Sequence, residues 1–174
     1  MSAEGYIGFG GNLGNPRETF ERALKKISAF AEVRDISRLY RSKPYGFPDQ
    51  PDFLNATVRL ATELEPLALL RALRGVEAEL GKVVARENGP RVIDLDLLLY
   101  GEEVCDSEEL ILPHPGISER DFVLRPLHDS APELVHPVSG RTVSELLTAL
   151  ETVHVSGDPE VWEPSFPAAK ESLK

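Results

Sequence analysis

In the stretch Gly89-Pro90-Arg91-Val92-Ile93-Asp94-Leu95-Asp96-Leu97-Leu98-Leu99-Tyr100-Gly101, two carboxylates interrupt an apolar run two residues apart. The run opens on a turn dipeptide and closes at a glycine, so it reads as a strand. Side chains alternate across a strand, which predicts Asp94, Asp96, Leu98 and Tyr100 on one face and Ile93, Leu95, Leu97 and Leu99 on the other. The Cα atoms of the two aspartates would lie about 6.5 to 7 Å apart, near enough to share hard cations and costly to leave unneutralised beside apolar neighbours. Arg91 offers a fork that can take a phosphate at the mouth of the strand. Paired carboxylates beside an arginine point to metal-assisted phosphoryl chemistry. The plainer alternative puts both aspartates on the wet face of an edge strand, but Asp is a poor strand former and a doubled one needs a reason.

Composition limits what else the chain could do. Its 174 residues, 41% hydrophobic and 28% charged, suit one domain with a real core. A formal charge of -10 argues against a general nucleic-acid binder, so any phosphate site must be locally basic. Cys105 is the only cysteine, which leaves no disulfide framework and no thiolate metal cluster and predicts a reducing cytoplasm. No apolar run approaches the roughly 20 residues of a membrane span, and the acidic start does not read as a signal peptide. A monomer with no nucleic-acid or membrane partner is expected.

The elements that must position the aspartates follow in order. Tyr6-Ile7-Gly8-Phe9-Gly10 reads as a short strand whose glycines suggest close approach by another backbone or a ligand. The glycines at 8, 10, 11 and 14 do not form a dinucleotide fingerprint, and no P-loop occurs. Asn15, Pro16 and Glu18 start a helix that turns Phe20, Leu24 and Ile27 inward. One strand is predicted over Val33 to Tyr40, although Val33, Ile36 and Leu39 fit alternation only in part. Ser42 to Phe53, with three prolines and three aromatics, is a loop of the kind that often carries function. Leu54, Ala56, Val58 and Leu60 alternate with polar residues and turn Asn55 to the opposite face. Pro66 opens a second helix, with Glu77 on or beside its apolar stripe; its residues alone suggest a carboxylate reaching water.

The resulting order β-α-β-β-α-β predicts an α+β, ferredoxin-like antiparallel sheet with two helices on one face and the other face open. Asp94, Asp96 and Asn55 could share that open face. Further on, Ser118 is expected to cap a short helix, and Thr142 to Leu150 to form another with Val143, Leu146, Leu147 and Leu150 inward. His114, held between prolines, is either a stiffly mounted imidazole or surface decoration. The domain is expected to span 1–155, with 156–174 a tail anchored only by Trp162.

Five stretches occur together in a specific order: Gly10-Gly11-Asn12-Leu13-Gly14, Tyr40-Arg41-Ser42-Lys43-Pro44, Asp49-Gln50-Pro51-Asp52-Phe53-Leu54-Asn55, Gly89-Pro90-Arg91 with Asp94-Leu95-Asp96, and Pro113-His114-Pro115 followed by Glu119-Arg120-Asp121-Phe122-Val123-Leu124. The chain thereby resembles the hydroxymethyl-dihydropterin pyrophosphokinases of folate biosynthesis from about Tyr6 to Leu150. The resemblance implies transfer of a pyrophosphoryl group from ATP to the pterin hydroxymethyl oxygen, releasing AMP, on a ferredoxin-like fold with two Mg2+ ions. It makes Asp94 and Asp96 the metal ligands and sets Arg91, Arg120, His114, Lys82 and Glu77 at the nucleotide or its phosphates. Asn55 would bond the pterin between Phe53 and Phe122, with the backbone from Ser42 and Lys43 to Tyr45 along its edge.

The chain departs from the family pattern at Gly11, where a small polar residue is usual, at Phe53, where a tyrosine is frequent, and at Val84 and Glu87, where basic residues are common. Lys82 to Pro90, polar and with Lys82 and Arg86 as its cations, is expected to act as a lid; the alternative is an ordinary connector. Two other function classes remain at this stage. One is a ferredoxin-like binding module with a calcium or small-ligand site at the aspartates, and the other a different transferase using Asp-x-Asp.

Overall fold

A computed structural model describes residues 2–44, 48–83 and 89–164. The local helix signals act as expected. Asn15 caps α1 (Pro16–Ile27) by accepting from the Glu18 amide at 3.2 Å, and Thr142 with Glu145 forms a reciprocal capping box at α4 (Val143–Ala149). The remaining elements are β1 (Ala3–Gly11), β2 (Glu32–Ile36), β3 (Leu39–Ser42), β4 (Phe53–Thr62), α2 (Pro66–Glu79), β5 (Asp94–Tyr100), the hairpin strands β6 (Cys105–Asp106) and β7 (Ile111–Leu112), α3 (Asp121–Ser130) and β8 (Val155–Glu160). Among the described residues no helix is long and apolar enough to cross a membrane.

The main sheet runs β5-β1-β4-β3-β8, with β2 also paired to β4, and every pairing is antiparallel. This is the ferredoxin-like arrangement, with its second strand divided into β2 and β3. The division falls at Ser37, whose hydroxyl accepts from the Thr57 amide at 2.8 Å and whose carbonyl accepts from Trp162 Nε1 at 2.7 Å. The incomplete alternation of Val33, Ile36 and Leu39 is the trace of this break.

Helices α1 and α2 cover one face, packing Phe20, Leu24, Ile27, Leu69 and Leu73 against Ile7, Val58, Leu60 and Leu95. The opposite face is half covered rather than open. Ile117, Leu124, Leu127, Val143 and Leu146 pack over Tyr6, Leu98 and Leu99. A register shift between Tyr6 and Ile7 lets Leu98 and Leu99 both join this second cluster, while Tyr100 turns to the first and donates to the Leu64 carbonyl at 2.7 Å. Strict alternation therefore places Leu99 and Tyr100 on the wrong faces; the bulge reverses parity there.

Two further expectations change. Ser118 caps no helix: it lies within a 3-10 turn, Ile117–Glu119, and α3 begins at Asp121. The segment read as a tail begins as strand β8, and Trp162 is 5% exposed, edge-on to Phe20 at 6.2 Å.

Candidate active site

The half of the sheet left bare by α3 and α4 forms the floor of a cavity of about 350 Å³. Register fixes what stands on that floor. Gly10 pairs with Asn55 on β4 and with Asp94 on β5; two residues back, Gly8 pairs with Thr57 and with Asp96. Two rows result, each with a polar residue of β4 and an aspartate of β5 on either side of a glycine. With no side chains on β1 between them, a flat ligand can lie directly on the strand.

On the β4 side, Asn55 is buried and its Nδ2 donates to the Tyr40 carbonyl at 3.0 Å and to Ser42 Oγ at 2.9 Å. Because the Tyr40 carbonyl can only accept, the amide orientation is fixed, and Oδ1 is left as an acceptor for a ligand N–H. Phe53, Phe122, Ser42 and Lys43 line the same cavity. The Phe122 ring is held edge-on by His154 at 5.9 Å, and the Lys43 amide donates to the His154 carbonyl at 2.8 Å. Tyr45 lies outside the described residues.

The β5 side is charged. Asp94 meets Lys82 Nζ at 2.8 Å and Arg91 Nη1 at 3.2 Å. No described residue donates a hydrogen bond to the Asp96 carboxylate; burial pushes this carboxyl up, and the Asp94 charge adds to the shift. His114 and Arg120 line the cavity with Arg91. Burial pushes His114 down, favouring the neutral ring, and its Nδ1 accepts from the Gly116 amide at 3.0 Å. The neutral ring must then carry its proton on Nε2, as a donor.

Of the residues singled out from sequence, Ser42, Lys43, Phe53, Asn55, Arg91, Asp94, Asp96, His114, Arg120 and Phe122 converge on this one cavity. Lys82 joins them through Asp94. Glu77 does not line the cavity and does not reach water: it is 3% exposed and accepts from the Leu95 amide, Lys82 and Arg74. The lid expected from Lys82 to Pro90 lies for the most part, 84–88, outside the described residues, Arg86 included.

The residues present fit a hard divalent cation. Two carboxylates line one cavity, and burial disfavours the charge on one of them. Carboxylate oxygens are the ligands that hard divalent cations prefer.

Residues 6–132 match the family of 7,8-dihydro-6-hydroxymethylpterin-pyrophosphokinase. The chain belongs to this family. It is 44% identical to the 2-amino-4-hydroxy-6-hydroxymethyldihydropteridine pyrophosphokinase of Haemophilus influenzae, over 82% of this chain and 89% of that one. The Pseudomonas aeruginosa protein of the same name is 45% identical over 83% and 90%. Against the folic acid synthesis protein fol1 of Schizosaccharomyces pombe identity is 42%, but the match covers 83% of this chain and only 20% of the larger protein. The crystal structure of wild-type Plasmodium falciparum HPPK-DHPS shares the fold, with a TM-score of 0.69 at 15% identity, over 85% of this chain and 44% of that one.

Residue types and spacing alone do not reveal the clamp that sets Arg91. Asn12 Nδ2 donates to Gln50 Oε1 at 2.8 Å and to the Pro51 carbonyl at 2.9 Å, while its Oδ1 accepts from the Arg91 amide at 2.8 Å. One side chain thus ties the end of β1 to both loops flanking the cavity. Gly11, an apparent departure from the family, is required here: a Cβ would stand 2.6 Å from the Val92 carbonyl. The turn Gly10-Gly11-Asn12 carried the signal, but its partners lie about 40 and 80 residues away, as the separations of 38 and 79 show.

Proposed function

We propose that this chain transfers the pyrophosphoryl group of ATP to the hydroxymethyl oxygen of 6-hydroxymethyl-7,8-dihydropterin, releasing AMP, as a step of folate biosynthesis. One observation carries the reading: the rows Asn55–Gly10–Asp94 and Thr57–Gly8–Asp96 set a pterin-type acceptor and a pair of carboxylates on opposite sides of one glycine floor. Family membership supports the reaction, and the cavity supports the division of labour.

Asn55 Oδ1 accepts from the pterin, and Phe53 and Phe122 supply aromatic faces to its ring. This orients the hydroxymethyl group toward β5. Asp94 and Asp96 would hold two Mg2+ ions, which would supply charge neutralisation to the transferring phosphoryl group. Lys82 and Arg91, paired to Asp94, can turn to phosphate oxygens, and Arg120 and the Nε2–H of His114 add donors. Phosphoryl transfer needs little covalent chemistry from a protein; in-line positioning and fixed positive charge dominate its rate. A separate side-chain base is not required.

The test is AMP formation from ATP, Mg2+ and the hydroxymethyl-dihydropterin, with pterin-free and metal-free controls. AMP dependent on both supports the reading. Pterin binding with no AMP would favour a binding module, and release of free pyrophosphate a different Asp-x-Asp transferase.

A further inference from the structure

β5 is the outermost strand on its side of the sheet, so nothing in the ladder fixes its outer edge. Among the described residues, side chains bond that edge at Leu95, which lies between the two aspartates. Glu77 Oε2 accepts from the Leu95 amide at 2.7 Å, and Arg74 Nη1 donates to the Leu95 carbonyl at 2.9 Å. The same Arg74 nitrogen donates to Glu77 Oε1 at 2.9 Å, one turn along α2. Together the pair reproduces the carbonyl and amide that a neighbouring strand would offer. Glu77 also accepts from Lys82 Nζ at 3.0 Å, and that ammonium reaches Asp94 at 2.8 Å.

We propose that Arg74 and Glu77 are a positioning pair that sets the spacing of Asp94 and Asp96 for their cations, rather than contacts for the nucleotide. A buried carboxylate is a costly way to attach a helix to a sheet, since well-packed apolar residues do as well or better. Its retention makes sense where backbone position matters. Side-chain period on a strand is two, so a small displacement of Leu95 would rotate both neighbouring carboxylates away from a common centre. Glu77 also draws Lys82 partly away from Asp94, which keeps that ammonium from competing fully with a cation.

This inference rests on the metal role proposed above for the two aspartates. Its test uses Mn2+ as the probe, bound in the presence of a non-hydrolysable ATP analogue and followed by electron paramagnetic resonance. Removing a residue that orients a metal ligand typically costs 10- to 100-fold in affinity or activity, so Glu77→Ala should weaken Mn2+ by about tenfold or more and lower kcat while leaving KM for pterin near its wild-type value. Arg74→Ala should do the same to a smaller degree, and the double variant should be no worse than Glu77→Ala alone, because the two act as one device. Affinity for AMP without metal should be unchanged. Folded variants with wild-type Mn2+ affinity and kcat, whatever their melting temperatures, would overturn the proposal, as would an AMP affinity that falls in step with that of Mn2+. If Glu77→Ala does not fold, Glu77→Gln and Arg74→Ala decide the matter by the same readouts. Wild-type protein that binds no Mn2+ overturns the metal reading and this inference with it; wild-type binding with unaltered variants overturns the inference alone.

Discussion

Asp96 sits in surroundings that its type does not favour: a carboxylate pushed up by burial, beside a second carboxylate, with no described donor. An arrangement that costs stability is expected where a ligand relieves it. Asp96→Asn should therefore abolish AMP formation while the melting temperature holds or rises; near-normal turnover would end the metal assignment. Asn55 presents the opposite case, with Nδ2 fully used and Oδ1 left as an acceptor in the cavity. Asn55→Ala removes that acceptor and also leaves Ser42 and the Tyr40 carbonyl without their donor, so pterin affinity should fall by about 1 to 3 kcal/mol by calorimetry. ATP affinity should change far less. Glu77 shows where reading side-chain types stops working. Its place beside an apolar stripe fits a carboxylate in water as well as one enclosed by Leu95, Lys82 and Arg74, and those three donors are dispersed from residue 74 to residue 95.

β1 shapes the site through what it lacks. Gly10 has open space where a side chain would project, with Asn55 Oδ1 the nearest atom at 3.8 Å. Gly10→Val should fold, yet fill the floor between Asn55 and Asp94 and weaken pterin binding at least tenfold, a loss of about 1.4 kcal/mol. Unchanged binding would mean that the ligand does not lie across β1. Among the elements, those set by local chemistry were legible: the Asn15-Pro16-Glu18 start of α1, the alternation of β4 and the apolar spacing of α2 each depend on neighbours a few residues away. β8 was not. Val155-Ser156-Gly157-Asp158-Pro159-Glu160 has no apolar period, and it is a strand because its backbone pairs with β3 and because Asp121 accepts from the His154 and Val155 amides, each at 2.9 Å. The half-covered face escaped notice for the same reason, since the apolar spacing of α4 says that it packs but not on which side of the sheet.

α3 carries Phe122 at its start and Asp129 near its end, so how firmly it sits on the sheet affects both the cavity and the fold. Asp129 accepts from Arg38 Nη2 at 2.9 Å, from the Arg38 amide at 3.1 Å and from Tyr40 Oη at 2.6 Å, which fastens α3 to the beginning of β3 across about 90 residues of chain, as the separations of 91 and 89 show. This tie makes stability depend on pH at both extremes. Burial alone would raise the Asp129 carboxyl, but the Arg38 and Tyr40 hydrogen bonds outweigh it and hold the group below its usual 3.8. The folded state therefore releases this proton more readily than the unfolded chain, and the contribution is complete above the unfolded value and lost as acid is added through the lower folded one. Tyr40 works in the other direction. Burial first, then Asp129, pushes its phenol from 10.0 up to about 12, so the folded state keeps a proton that the unfolded chain has already lost. That stabilisation is complete below pH 10 and disappears as pH rises to about 12. In urea titrations Tyr40→Phe should be less stable than wild type at neutral pH by about 1 kcal/mol, the ordinary net worth of a hydrogen bond. Between pH 10 and 12 the two stability curves should converge, because the variant has no phenol to ionise. Parallel curves across that interval would show that Tyr40 ionises equally in both states and that its bond to Asp129 does not hold α3 in place.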